Sequence, residues 1–188
     1  MMLYKESFIP RICDFDRNGA FTYEAILQML ETAGSHHSNQ ANDNVIAGSQ
    51  SGIAWILVEW RVNIHRMPGN SDTLHLTTWV RGKAPAAMVY RDFIITDDQD
   101  RTLLEVEATF VLLDTARGRL TRISEELFAA YGPEDTLVFP DTLPRLQPAE
   151  TVLCSHPISL RRSDIDFNGH VHNTKYIDFA LEGLPSHV

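Results

Sequence analysis

The stretch SDIDFNGHVHNTKY, residues 163–176, packs two acids, two amides and two histidines into one short run. An earlier stretch, CDFDRNGAFTYEAI at residues 13–26, gives it meaning. Asp14, Asp16, Asn18 and Gly19 recur at a constant offset of 150 as Asp164, Asp166, Asn168 and Gly169. Only the later copy continues with His170; the earlier one has Ala20. Each copy follows a segment with strand character, residues 3–12 and 150–160, and each precedes a helical stripe. The first stripe is Ala25, Ile26, Met29, Leu30 and Ala33; the second is Tyr176, Ile177, Ala180 and Leu181. Matched residues at the same place in the same order of elements point to an internal duplication.

Between the copies the hydrophobic period is two. Ile56, Val58, Trp60, Val62 and Ile64 are expected on one face of a long strand, with Glu59, Arg61, Asn63 and His65 on the other. The polar run SHHSNQANDN from residue 35 is expected to end the first helix. MPGNSD and GKAP read as turns into strands carrying Leu74, Leu76, Thr78 and Val80, then Val89, Arg91, Phe93 and Ile95. TDDQD leads to a fourth strand, with Leu104, Val106, Ala108, Phe110 and Leu112 alternating with their neighbours. The fold class is therefore α+β, a mainly antiparallel sheet wrapped around one long helix. A short helix is expected near ISEELFAAYG. Pro133, Pro140, Pro144 and Pro148 then mark residues 132–149 as a linker. The domains predicted are 1–131, with a full sheet, and 150–188, whose own sheet would need roughly 40 to 60 further residues. The second copy is thus expected to be incomplete in this chain. Its apolar stripe would pack on the first domain, on a second copy of the chain in a homo-oligomer, or fray.

Composition narrows the classes of partner. The 188 residues are 44 % apolar and 22 % charged, which is folded-protein composition. A net charge of −9 argues against nucleic acid and anionic membranes, since affinity for polyanions comes from Lys and Arg neutralising phosphates. No run is long and apolar enough to span a membrane. Two cysteines, Cys13 and Cys154, form no disulfide framework, and a reduced, cytoplasmic setting is expected.

The repeated motif admits three readings on its residues alone. Asp and Asn before a helix accept the free N–H groups of its first turn, and Gly permits positive φ, so both copies could be scaffold. His170 and His172 with nearby carboxylates could hold a metal, although zinc prefers softer or more widely spread donors. Acyl-transfer chemistry needs a base near neutral pKa, a group to orient it, and donors where a carbonyl oxygen gains charge. His170, Asp166 and Asn168 supply those chemistries. No G-x-S-x-G elbow nominates a serine, and Cys154 reads as a strand cysteine.

RRSDIDFNGHVHNTKYIDFALE resembles the acyl-acyl-carrier-protein thioesterases, in which Asp, Asn and His alternate before a V-N-N-x-K-Y run and a long helix. WILVEWRVNIHRMPGNSDTLHLTTWV and ATFVLLDTARGRLTRISEEL extend the resemblance over most of the first domain. The resemblance implies two fused hot-dog domains and hydrolysis of fatty acyl-acyl carrier protein, with no cofactor and with acyl carrier protein as partner. It carries the catalytic Asp, Asn and His onto Asp166, Asn168 and His170. It also makes the first domain the acyl-chain holder, with Trp55, Trp60, Trp79 and Phe93 as wall residues. Arg145, Arg161, Arg162, Arg117, Arg119 and Arg122 would suit an acidic carrier. Two departures stand out. His172 replaces the first Asn of V-N-N, and the family's further acidic residue, from the second sheet, has no counterpart to assign. Rival readings are a hot-dog acyl-CoA thioesterase and an acyl-binding module without hydrolysis.

Overall fold

The structure is a computed structural model and describes residues 3–50, 52–82, 87–144, 147, 150–152 and 155–184. Cys154 and Arg145 lie outside the described residues. The chain divides into two compact units, residues 1–139 and 140–188.

The first unit is built on strand β1 (Tyr4–Phe8), helix α1 (Tyr23–Gln40), helix α2 (Val45–Gln50) and strands β2 (Ile53–Ile64), β3 (Leu74–Val80), β4 (Met88–Thr96) and β5 (Thr102–Asp114). A short strand β6 (Arg119–Thr121) and helix α3 (Glu125–Ala130) follow. The sheet is antiparallel in the order β1-β3-β4-β5-β2, with β6 beside β5. Its inner face and α1 bury each other: Ile26, Met29, Leu30 and Ala33 pack with Leu74, Leu76, Phe93, Ile95, Leu104, Val106 and Ala108. This is the hot-dog arrangement, a curled sheet around one long helix, present as one full unit.

Two features depart from simple periodicity. A β-bulge between Leu57 and Glu59 shifts the register of β2 on β5. An extra residue reverses strand parity, so Val58 is exposed while Trp55 and Leu57 join Trp60, Val62 and Ile64 on the inner side. Ile56 and Val58 therefore do not share the face of Trp60. Helix α1 also continues through the polar run expected to end it, because His37 and Ser38 find buried partners. An Arg91 guanidinium N–H donates to His37 Nδ1 at 2.7 Å; Tyr131 Oη donates to the Asp43 carboxylate at 2.6 Å and accepts the Ser38 hydroxyl at 2.9 Å. Since guanidinium can only donate, His37 accepts at Nδ1 and carries its proton at Nε2. Tyr4 stacks on this imidazole and Tyr131 meets it edge-on.

The outer face carries a different lock. Trp79, Asp92, Glu107 and Arg61 form one cross-strand row over β3, β4, β5 and β2. Arg81 grips fully buried Asp92 with two bonds of 2.7 Å and also pairs with Glu107. Residues 134–139, within the expected linker, run along this face. Glu134 N–H donates to the Val80 carbonyl at 2.9 Å, Trp79 Nε1–H donates to the Thr136 carbonyl at 3.0 Å, and Phe139 lies under the Arg61 guanidinium at 3.9 Å.

In the second unit, described by itself, helix α4 (Lys175–Glu182) follows the repeated turn. The strand expected at residues 150–160 is absent from the described residues there. A strand is held by its neighbour, as β1 is by β3, and no described segment pairs with residues 155–160.

Asp92→Ala is expected to lower unfolding free energy in urea by about 3 kcal/mol, because it leaves the Arg81 charge buried with only Glu107 to match it. A second expectation concerns acid. Burial, and then the Arg91 charge, pushes the His37 imidazole down to about 4. The unfolded chain takes up that proton near pH 6.5 and the folded chain resists it, so stability falls as pH drops from about 6.5 to about 4. Chemical denaturation of wild type and His37→Gln across that window should show the variant losing this part of the slope.

Candidate active site

The Asp-x-Asn-Gly turn is built the same way twice. In the first copy, Asp16 Oδ1 accepts the backbone N–H of Asn18 at 2.8 Å and of Ala20 at 2.9 Å. The Asp16 N–H donates to the Ala20 carbonyl, Gly19 sits at φ +76°, and Phe15 bridges to Phe21. In the second copy, Asp166 Oδ1 accepts from Asn168 at 2.8 Å and from His170 at 3.1 Å. Asp166 N–H donates to the His170 carbonyl, Gly169 sits at φ +79°, and Ile165 bridges to Val171. A left-handed φ favours Gly at both places. Backbone N–H groups of Ala20 and Asn18 hold the Asp16 carboxyl below the usual carboxylate range.

A further pair of residues repeats at the same offset and escaped the sequence reading. Asp14 accepts the Arg11 backbone N–H at 2.7 Å and its guanidinium at 2.8 Å; Asp164 accepts the Arg161 backbone N–H and guanidinium, each at 2.8 Å. Each Arg–Asp pair fastens a single 3-10 turn just ahead of the loop. Arg161 holds the Asp164 carboxyl below its ordinary range, by its side chain and then its backbone N–H. Arg161 is thus engaged inside the motif as well as contributing to the basic surface. The signal was legible, since Arg11 and Arg161 are themselves 150 apart.

The copies diverge where the helix begins. Thr22 Oγ1 caps α1 by accepting the Ala25 N–H at 3.1 Å. His172 occupies the corresponding position, and its Nδ1 stands 3.0 Å from Thr174 Oγ1 and 3.4 Å from the Thr174 backbone N. Its departure from the family's Asn therefore has a local role at the start of α4. His170 is exposed, its backbone fixed at both N–H and carbonyl, and among the described residues nothing hydrogen-bonds its imidazole. The structure thus gathers Asp166, Asn168 and His170 into one turn ahead of a helix. That turn carries an imidazole, an amide and a carboxylate. No group of three or more metal-ligating side chains occurs among the described residues.

The four aromatic candidates do not lie together. Trp55, Trp60 and Phe93 belong to the helix-facing side of the sheet, joined through Phe110: Trp60 lies 5.9 Å from Phe93 and 6.5 Å from Phe110, and Trp55 lies 6.4 Å from Phe110. Trp79 faces the other way, buried under residue 136.

The profile described as the acyl-ACP thioesterase N-terminal domain matches residues 1–131, and that of the acyl-ACP thioesterase C-terminal domain matches residues 148–188. The chain is 26 % identical to oleoyl-acyl carrier protein thioesterase 2, chloroplastic, of Arabidopsis thaliana, over 98 % of its own length and 55 % of the relative. It is 28 % identical to the oleoyl-acyl carrier protein thioesterase, chloroplastic, of Coriandrum sativum, over 98 % and 54 %. It spans about half the length of these relatives. Among solved structures, a 12:0-ACP thioesterase from Umbellularia californica superposes with a TM-score of 0.85 at 21 % identity, covering 99 % of this chain and 76 % of that one. These relatives overturn one expectation. The cytoplasmic setting inferred from cysteine usage is corrected, because the Arabidopsis and coriander proteins are chloroplastic. Cysteine count reports redox state and does not distinguish reducing compartments. No described helix is long and apolar enough to cross a membrane.

An asparagine amide oxygen can accept the same two N–H groups as the aspartate it replaces. Asp16→Asn and Asp166→Asn are therefore expected to keep the thermal midpoint near wild type, whereas alanine at either position lowers it. Paired melting curves of the four variants check this.

Proposed function

Because the chain belongs to the acyl-ACP thioesterase family, we propose that it hydrolyses the thioester joining a fatty acyl chain to acyl carrier protein, releasing the free fatty acid. The observation that carries this reading is the difference between the twin turns. Their backbones match bond for bond, yet the second places His170 where the first has Ala20. A turn needed for folding alone has no use for that imidazole, since both copies close with the same backbone bonds.

In this reading Asp166 and His170 orient and deprotonate a water, which attacks the thioester carbonyl carbon. Asn168 stabilises the oxyanion. The C–S bond then breaks, and the carrier thiolate takes up the proton held by His170. Residues 150–188 supply this chemistry, and residues 1–131 hold the acyl chain against Trp55, Trp60 and Phe93. Trp79, on the outer face, serves packing. Exposed Arg117, Arg119, Arg122 and Arg162 suit an acidic carrier and would act on encounter rate more than on chemistry.

Rates on one acyl chain attached to carrier protein and to coenzyme A test the substrate class, with the carrier thioester expected to be preferred. His170→Ala is expected to lower kcat by roughly 10²- to 10⁴-fold with the fold intact, and Asn168→Ala by about 10²-fold. Wild-type turnover in His170→Ala, with chemistry rate-limiting, would remove His170 from the mechanism.

A further inference from the structure

Three histidines at the surface of the first unit each meet a carboxylate: His36 with Glu6 at 2.9 Å, His65 with Glu105 at 2.8 Å and His75 with Asp98 at 2.9 Å. Of these, His75 also meets a hydroxyl on its other ring nitrogen. Ser7 Oγ stands 2.9 Å from Nδ1, and Asp98 Oδ1 is on the Nε2 side. The tautomer follows from the partners. A carboxylate only accepts, so the neutral imidazole donates its Nε2–H to Asp98, and Nδ1 is left to accept the Ser7 hydroxyl. The result is a nucleophile hydrogen-bonded to a base, with the base oriented by a third group, which is the general signature of an activated serine.

The fold holds the three groups from separate elements. Ser7 of β1 and His75 of β3 are direct partners in the antiparallel register, and Asp98 lies in the turn between β4 and β5. Strand β1 is the sheet edge opposite β2, and Tyr4 and Phe8 face the core, so Ser7 takes the outer face. Lys5 shares that exposed face, two residues before Ser7, and brings a positive charge to the side on which an oxyanion would form. The pairing of β1 with β3 does not need this arrangement, because water can satisfy a hydroxyl, an imidazole and a carboxylate at a surface equally well. Access is open: Ser7 is exposed, and the side chains of His75 and Asp98 are 42 % and 64 % exposed. An open strand face suits a small reagent and offers nothing to enclose a long one.

We propose that Ser7, with His75 as its base and Asp98 holding that base, is a covalent acylation site for small activated acyl donors, separate from the turn that carries His170. Ser7 Oγ attacks the carbonyl carbon of the donor, and its proton passes to His75 Nδ1. Asp98 stabilises the imidazolium through Nε2–H. The bond from the carbonyl carbon to the leaving oxygen then breaks, the leaving group departs with the electron pair, and His75 returns its proton to solvent. The acyl group remains on Ser7 as an ester.

The test incubates the 188-residue chain with p-nitrophenyl acetate and follows acetylation of each serine by peptide mass spectrometry. Ser7 is expected to acetylate roughly 10²-fold faster than the exposed Ser71 and Ser163, the lower end of what a positioned base supplies. Ser7→Ala removes this label, and His75→Ala brings Ser7 down to the rate of the other two serines. Asp98 is a positioning residue: Asp98→Ala lowers the Ser7 rate and Asp98→Glu restores it, while both keep the wild-type melting curve. His75→Gln, which keeps a polar partner for Ser7 but takes up no proton, serves should the alanine variant fail to fold. Acetylation of Ser7 no faster than that of Ser71 and Ser163 overturns the inference. So does a wild-type Ser7 rate in folded His75→Ala or His75→Gln, or in Asp98→Ala.

Discussion

One carboxylate oxygen accepting two backbone N–H groups is the constraint on which both halves of the chain turn. Asp16 and Asp166 each gather the N–H two residues on and the N–H four residues on, and so bend the backbone through a glycine at positive φ into the start of a helix. In the first unit this bend sets where α1 begins and therefore which of its faces meets the sheet. A helix entering one residue out of phase would turn Ile26, Leu30 and Ala33 by about 100° away from Leu76, Phe93 and Val106. In the second unit the same bend sets where Asn168 and His170 stand. The scaffold role and the proposed chemical role thus share one set of bonds, and the side chains at positions 20 and 22, or 170 and 172, separate the copies.

The interior at the far end of α1 shows the converse economy, with polar groups used to prolong a helix. A run rich in Ser, His and Asn favours caps and turns when solvated. Here His37 receives an N–H from Arg91, Ser38 donates its hydroxyl to Tyr131, and α1 runs on to Gln40 before Asn42 takes a left-handed φ of 57°. Gly34 lies against the Arg91 side chain, and a Cβ there would stand 3.8 Å from it, in ordinary contact. Burial lowers the Arg91 pKa to about 10, which still leaves it charged at neutral pH. A neutral His37 is the acceptor such a charge requires.

What could be read from the sequence follows from what repeats. The offset of 150 located both turns, and the helical stripe of α1 gave its buried face correctly, because period and position are properties of the chain itself. Arg11 and Arg161 carry the same signal, which is hidden when Arg161 is read as surface charge alone. The bulge at Val58 was not legible: an inserted residue leaves the alternation of Ile56, Val58 and Trp60 intact in sequence while inverting it in space. Nor could the helix end be placed from SHHSNQ, since its partners Arg91 and Tyr131 are distant in sequence. The direction of Trp79 depends on its cross-strand neighbour Asp92 and on residue 136, neither of which is visible in a local pattern.

The second copy isolates how much of an element its own sequence determines. Turn, bridge and helix start all form in residues 161–182, for they need only neighbours within the segment. No strand precedes them in the described residues, and α4 buries none of its residues, with Tyr176 62 % exposed and Leu181 41 % exposed. Strand and helix face share one requirement, a sheet to pair with and to pack on. In the first unit β3 and the inner face of β4 and β5 meet it. Local bonds therefore hold the candidate catalytic turn in shape without a packed helix behind it, whereas the depth and shape of any site beside that turn depend on what covers Tyr176 and Leu181. The turn decides which side chains are presented, and the covering surface decides what they can be presented to.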